Sequence, residues 1–225
     1  FQKRPVPPTG RAGRFLLGKA NLMQASVLPF QPTRRAFLGA VLAFGVSGEA
    51  TALTNSQRLV SAARRQVGVT LTYDPAYTVL SFPNGDVDRA KGVCTDVVIR
   101  AFRDALGQDL QALVNADMRA NFGAYPKNWG LGRPDRNIDH RRVPNLATYW
   151  RRHGAALPVT DDPADWRPGD IFTQMVGGRL PHTGIVSDRK DTTGVPLVLH
   201  NIGGGTREED ALFKHKLTGH FRWKV

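Results

Sequence analysis

Between residues 56 and 121 apolar side chains recur at helical spacing. Beyond residue 170 they come in short runs broken by glycine-rich turns. Leu59, Val60, Ala63 and Val67 share one face, which predicts a helix over residues 56–67 with Gly68 as its stop. Val97, Val98, Ile99, Ala101, Phe102, Ala105 and Leu106 predict a second helix, starting at or next to Cys94 and ending near Gly107. Leu110, Leu113, Val114 and Met118 predict a third over residues 110–121, and a short fourth covers 145–153 with Asn145 as N-cap and Gly154 as stop. Between the first two helices, Tyr73-Asp74-Pro75-Ala76-Tyr77 and Phe82-Pro83-Asn84-Gly85-Asp86 are turn chemistry, so residues 69–92 read as loop. Residues 122–144 are irregular and rich in Gly, Pro, Asn, Arg and aromatics; a loop of that length in a compact domain is more often functional than idle. Strands are predicted over 171–175, 182–188, 196–202 and 217–223, with residues 203–205 a flexible triple-glycine loop. Helices first and antiparallel strands after is an α+β order, with the N-terminal helices packed on the sheet.

The first 52 residues follow another logic. Thr33-Arg34-Arg35-Ala36-Phe37-Leu38 leads into an apolar stretch ending at Val46, and Ala50-Thr51-Ala52 is a small-x-small cleavage pattern. A basic start, a short apolar core and such a site make a secretory signal, and the paired arginines make it a Tat-type signal. A membrane anchor or a surface amphipathic helix is the competing reading, but the stretch is shorter than the roughly 20 residues a span needs. The expectation is a signal over residues 1–52, with Met23 as a start and the preceding residues a translated extension. One mature domain then covers residues 53–225, exported to the periplasm by the Tat machinery, with no stable membrane span once the signal is removed.

Charge changes the picture only after that correction. The full chain carries +12, and residues 1–52 hold seven Lys/Arg against Glu49, leaving +6. That suits an anionic polymer such as the bacterial cell wall, or nucleic acid. No basic block interleaved with aromatics is present, so nucleic acid is not the expected partner. No Cys-x-x-Cys, His-x-x-x-His or glycine-rich phosphate loop appears, so neither a metal nor a cofactor is indicated.

Cys94 is the lone cysteine. At a helix N-terminus the macrodipole and free N–H groups favour thiolate, the reactive form; the competing reading is a small buried hydrophobe. His182 and His200 stand on predicted consecutive strands, where cross-strand neighbours lie about 5 Å apart. A thiol with two such histidines is the material of a catalytic triad: Cys94 attacks an amide carbonyl, His182 acts as base then acid, and His200 orients it. Asn201, on the opposite strand face, is the alternative third member, and Asp96 a possible auxiliary. The oxyanion would be held by the Cys94 N–H and another donor. For substrate binding, Trp129, Asp139, His140 and Arg141 are candidates, and the cluster over residues 133–142 would attract peptide carboxylates unless it is simply solvated. Tyr125 and Trp166 are further groove candidates, with Trp166 more readily packed behind its turn. His140 is expected to be ordered by Asp139 if it is not a substrate contact, His153 to be structural, and His215 and His220 to lie on the surface.

Gly92-Val93-Cys94-Thr95-Asp96 opening a helix, Arg167-Pro168-Gly169-Asp170-Ile171 entering a strand, His182-Thr183-Gly184-Ile185-Val186-Ser187-Asp188, and Leu199-His200-Asn201 occur in that order. In this the chain resembles the NlpC-type cell-wall cysteine peptidases of the papain-like superfamily, and more closely an uncharacterised bacterial branch of them. The resemblance runs over residues 56–223. It departs at Val93-Cys94-Thr95-Asp96, where the family usually has Asp-Cys-Ser-Gly, and at the insertion over residues 122–144. It implies a papain-like fold, a Cys94–His182–His200 triad, and a tyrosine before the helix, Tyr73 or Tyr77, as oxyanion donor. The implied activity is an amidase or endopeptidase acting on peptidoglycan stem peptides. The alternatives are a superfamily amidase or acyltransferase using another amide or ester, and a non-catalytic wall-binding domain on the same fold.

Overall fold

The computed structural model describes residues 52–224; the signal-peptide expectation falls almost wholly outside them. The first helix, α1 (Asn55–Arg64), is closed by a reciprocal cap in which Thr54 accepts from the Gln57 N–H and Gln57 from the Thr54 N–H. It ends three residues short of Val67, the expected last helical residue: Val67 is exposed, and Gly68 at φ +77° completes the turn that follows. Within the predicted loop, two-residue strands β1 (Thr72–Tyr73) and β2 (Lys91–Gly92) pair in parallel. Then comes α2 (Cys94–Leu106), whose apolar stripe is buried and whose end is a left-handed Gly107. After α3 (Leu110–Asn121), residues 122–142 are irregular apart from two short 3-10 turns. The helix α4 (Val143–Arg152) starts earlier than the sequence predicts, with Pro144 in its first turn. Asn145 is no N-cap; it is buried inside and donates to the Asp139 carbonyl at 3.1 Å.

The remaining strands are β3 (Ala156–Leu157), β4 (Ile171–Val176), β5 (Leu180–Lys190), β6 (Pro196–Asn201), β7 (Thr206–Glu209) and β8 (Lys216–Phe221). They form one antiparallel sheet in the order β3-β8-β4-β5-β6-β7. The sequence reading lacks β3 and β7, and carries β8 to Trp223, where the strand stops at Phe221. Short strands lack the two-residue periodicity that makes longer ones visible.

Helices cover one face of the sheet. Val60, Val98, Phe102, Leu146 and Trp150 pack there against Ile171, Ile185, Leu199 and Phe221. On the other face Trp166, Phe172, Val186 and Val198 pack under Ala211 and Leu212. The fold is α+β. Among the described residues no helix is long and apolar enough to cross a membrane.

Candidate functional site

Three anchors fix the start of α2. Asp96, three residues into the helix region, reaches back to accept the Val93 N–H at 2.7 Å. Its carboxylate is also clasped by Arg141 through Nε and Nη2, both at 2.9 Å, and both side chains are buried. The Thr95 hydroxyl donates to the Arg141 carbonyl at 3.0 Å. Further along α2, the fully buried Arg100 holds the incoming loop, bonding Asp86 and the carbonyls of Val87, Asp88 and Lys91. From the sheet, Asn201 donates to the Gly92 carbonyl at 3.0 Å. A Cβ at Gly92 would lie 3.0 Å from the Asp96 carboxylate, so the close approach of loop and helix needs glycine there.

Cys94 is the first residue of α2, 4 % exposed. The backbone N–H groups of Thr183 and Thr95 and the Tyr73 hydroxyl are directed at its sulfur and favour the thiolate. Desolvation outweighs them: burial pushes the thiol up to about 11, with Asp96 adding repulsion. The expected depressed thiol is therefore not what this site holds at rest. Tyr73 is also pushed up, to about 12, by burial first and by the neighbouring Cys94, so its hydroxyl keeps its proton.

Thr183 follows His182 on β5, so the sulfur lies against the strand that carries this histidine. His182 Nε2 is 2.8 Å from His200 Nδ1, and the two rings meet edge to face. Both rings are buried and next to Phe172. Burial, with His200 and His215 adding repulsion, pushes His182 down to about 3. Burial also lowers His200, against the pull of Glu209. Gly184 makes this approach possible: a Cβ there would sit 2.7 Å from the Leu199 carbonyl and 2.8 Å from His200 Cβ.

One partner is missing from the sequence reading. Glu209 Oε1 lies 2.9 Å from His200 Nε2. It stands opposite Val198, two residues before His200 and on the same face of β6, as a diagonal neighbour. The missed strand β7 hid it; the acidic pair Glu208-Glu209 after three glycines was the available signal.

Several candidates turn out to be scaffold. Asp96 and Arg141 neutralise one another, and Arg141 also lines the cleft on which Cys94 opens. Asn201 sits across the strand from His200, holding the cysteine loop instead of the imidazole. Asp139 turns inward to the Asp135 N–H and to Arg142, and burial raises its carboxyl. His140 is buried with Nδ1 unpartnered, and burial lowers it to about 4. Tyr77 bonds Asp135 and Asn137, away from the sulfur. Tyr125 is buried against Asp117. His220, expected on the surface, is buried, 2.8 Å from Asp170 and stacked on Trp166, which itself packs behind its turn.

Cys94 opens on a cleft of about 200 Å³ walled by Tyr73, Trp129, Ile138, Arg142 and Pro181. The Arg142 guanidinium lies 4.0 Å from the centre of the Trp129 ring. A larger hollow of about 710 Å³ lies on the same irregular segment, between Arg119, Arg133, Arg136, Asn115 and Tyr77. It does not hold the thiol, which opens on the smaller cleft. Among the described residues no group of three His, Cys, Asp or Glu side chains is arranged to hold a metal ion. What the smaller cleft offers is a sulfur nucleophile with donors around it, lying against the strand on which the neutral His182 meets His200.

Comparison with known proteins agrees on the extent of this unit. The chain is 51% identical over 167 residues to the Escherichia coli (strain K12) protein named "Uncharacterized protein YijF", covering 74% of this chain and 81% of that one. Residues 60–223, from the middle of α1 to just past β8, match the family described as Domain of unknown function (DUF1287), and the chain belongs to that family.

Proposed function

We propose that the protein is an exported cysteine hydrolase cleaving amide bonds in peptidoglycan stem peptides. One observation carries the reading: a thiol at a helix N-terminus, with two backbone N–H groups and a phenol directed at it, lies against the strand whose His182 is bonded to His200. Thiol on a helix, base on one strand and orienting group on the next is also the order expected of an NlpC-type papain-like enzyme, which supports that finer assignment. The twin arginines and the A-x-A pattern support Tat export to the periplasm.

In this mechanism the resting pair is neutral. His182, held down at about 3, carries a free lone pair at any physiological pH. Cys94 Sγ attacks the amide carbon while its proton passes to His182, so charge appears only as the S–C bond forms. The Tyr73 hydroxyl and the Cys94 backbone N–H serve the developing oxyanion. His182 then gives the proton to the amine, the C–N bond breaks, and a thioester remains. Water, losing a proton to the same imidazole, adds to the thioester; the C–S bond then breaks, the sulfur takes that proton back, and the acyl group leaves as the carboxylic acid. Asp96, Arg141, Arg100 and Asn201 hold the geometry.

Another amide or ester substrate would use the same steps. A second reading, a non-catalytic wall-binding domain with a structural cysteine, draws on the burial of the thiol. Digestion of purified peptidoglycan and model peptides separates the readings. The hydrolase predicts new fragments, identified by mass, from wild type and none from Cys94→Ala; binding without fragments from either protein supports the second reading.

A further inference from the structure

We propose that Glu209 is a positioning residue that dictates which nitrogen of His182 is free of a proton. The proposal rests on the hydrolase reading only for what that nitrogen then does. Two neutral imidazoles sharing one hydrogen bond can hold it in either direction, because each ring has one donor and one acceptor nitrogen. The His182–His200 pair at 2.8 Å therefore cannot choose its own arrangement.

Glu209 chooses it. Its carboxylate has no proton to give, so His200 Nε2, 2.9 Å away, must be the donor. A neutral His200 then has a bare Nδ1, which accepts from His182 Nε2. With its one proton on Nε2, His182 is left with a bare Nδ1. That is the nitrogen a general base needs, and it is the one His200 does not occupy. Fixing a tautomer through the hydrogen bond made by the other ring nitrogen is a known means of preparing an imidazole. Here the instruction passes through two rings in series.

The strand carrying Glu209 does not depend on it. Glu208, on the opposite face of β7, is clasped by Arg64 of α1 at 2.6 and 2.9 Å, and the Thr206 N–H donates to the Thr70 carbonyl at 2.8 Å. The Glu209 side chain is 38 % exposed, so longer and charged replacements have room.

Long-range proton–nitrogen spectra of the full chain, labelled with ¹⁵N-histidine, read the tautomers directly. The wild type is expected to show both His182 and His200 protonated at Nε2. Glu209→Lys puts a donor where the acceptor was, and should invert both rings to Nδ1–H. Glu209→Gln, able to accept or donate, should populate both forms, with wild-type tautomers partly rescued. If the lysine variant fails to fold, Glu209→Met carries the test: with neither donor nor acceptor, it should give a mixture. Wild-type His182 protonated at Nδ1, or tautomers unchanged in the lysine and methionine variants, would overturn the proposal. Turnover is scored separately. If the rings invert and the wild type hydrolyses nothing, the tautomer chain stands and the hydrolase reading falls. If the wild type is active and the rings invert, Glu209→Lys should lose about 10²–10⁴-fold, the usual worth of a general base.

Discussion

At the scale of single residues, the site balances a charge that cannot form at rest against donors waiting for it. Burial holds Cys94 at about 11 and His182 at about 3, so between those values both stay neutral. The thiolate fraction should then rise tenfold per pH unit. Iodoacetamide labelling of Cys94 between pH 6 and 9 is expected to accelerate tenfold per unit, with no plateau. A plateau below pH 7 would mean that a thiolate–imidazolium pair already exists. The Asp96–Arg141 pair is a second residue-scale device. Arg141→Met strands a buried carboxylate, and removing one partner of such a pair costs about 3–5 kcal/mol. Urea unfolding should show that loss, and adding Asp96→Asn to Arg141→Met should restore part of it.

The elements explain why histidines on separate strands meet. Strand β5 crosses β6 closely at Gly184, where Leu199, His200 and Phe172 leave no space for a side chain. Gly184→Ala is expected to cost about 1–3 kcal/mol by overpacking and to push His200 away from His182. On the hydrolase reading its turnover should fall further than its melting temperature suggests; full turnover would show that the crossing does not set the His182–His200 contact that reading needs. The long elements were legible because their apolar spacing is regular: α2 and α3 begin and end close to where periodicity puts them, and β4, β5 and β6 follow their glycine turns. The two-residue strands and β7 were not. The two-residue strands pair with partners distant in sequence, β1 with β2 and β3 with β8, and β7, although it pairs with its neighbour β6, is the polar run Thr206-Arg207-Glu208-Glu209 without apolar alternation. Glu209 was lost with β7. The sequence offers Asp96 as an auxiliary beside the cysteine and Arg141 as a substrate contact in a separate loop; only closing their 45-residue separation in space makes them partners.

For the whole molecule, two consequences follow from how charge is distributed. His140 and His182 are neutral and buried, their values lowered to about 4 and 3. The unfolded chain would protonate them near 6.5, so their contribution is intact above that pH and is lost as pH falls toward 4 and 3. Each removes about 1.4 kcal/mol of stability per pH unit in that window. Urea midpoints should fall from pH 7 to pH 5; a constant midpoint would contradict neutral burial. The hollow between Arg119, Arg133 and Arg136 is the other feature, its guanidinium groups without ion-pair partners among the described residues. On the hydrolase reading it draws anionic wall polymer toward the cleft. Replacing all three with glutamine should weaken sedimentation with purified peptidoglycan and reduce its salt dependence, leaving the alkylation rate of Cys94 unchanged. Wild-type sedimentation by that variant would remove the hollow from the account. The central claim is that Cys94 and His182 act as one catalytic unit, and single-turnover rates on the cleaved peptide for wild type, Cys94→Ala, His182→Ala and the double variant test it most directly. Each single change should abolish nearly all turnover, and the double should be no slower than Cys94→Ala; a Cys94→Ala protein that turns over at the wild-type rate would contradict it.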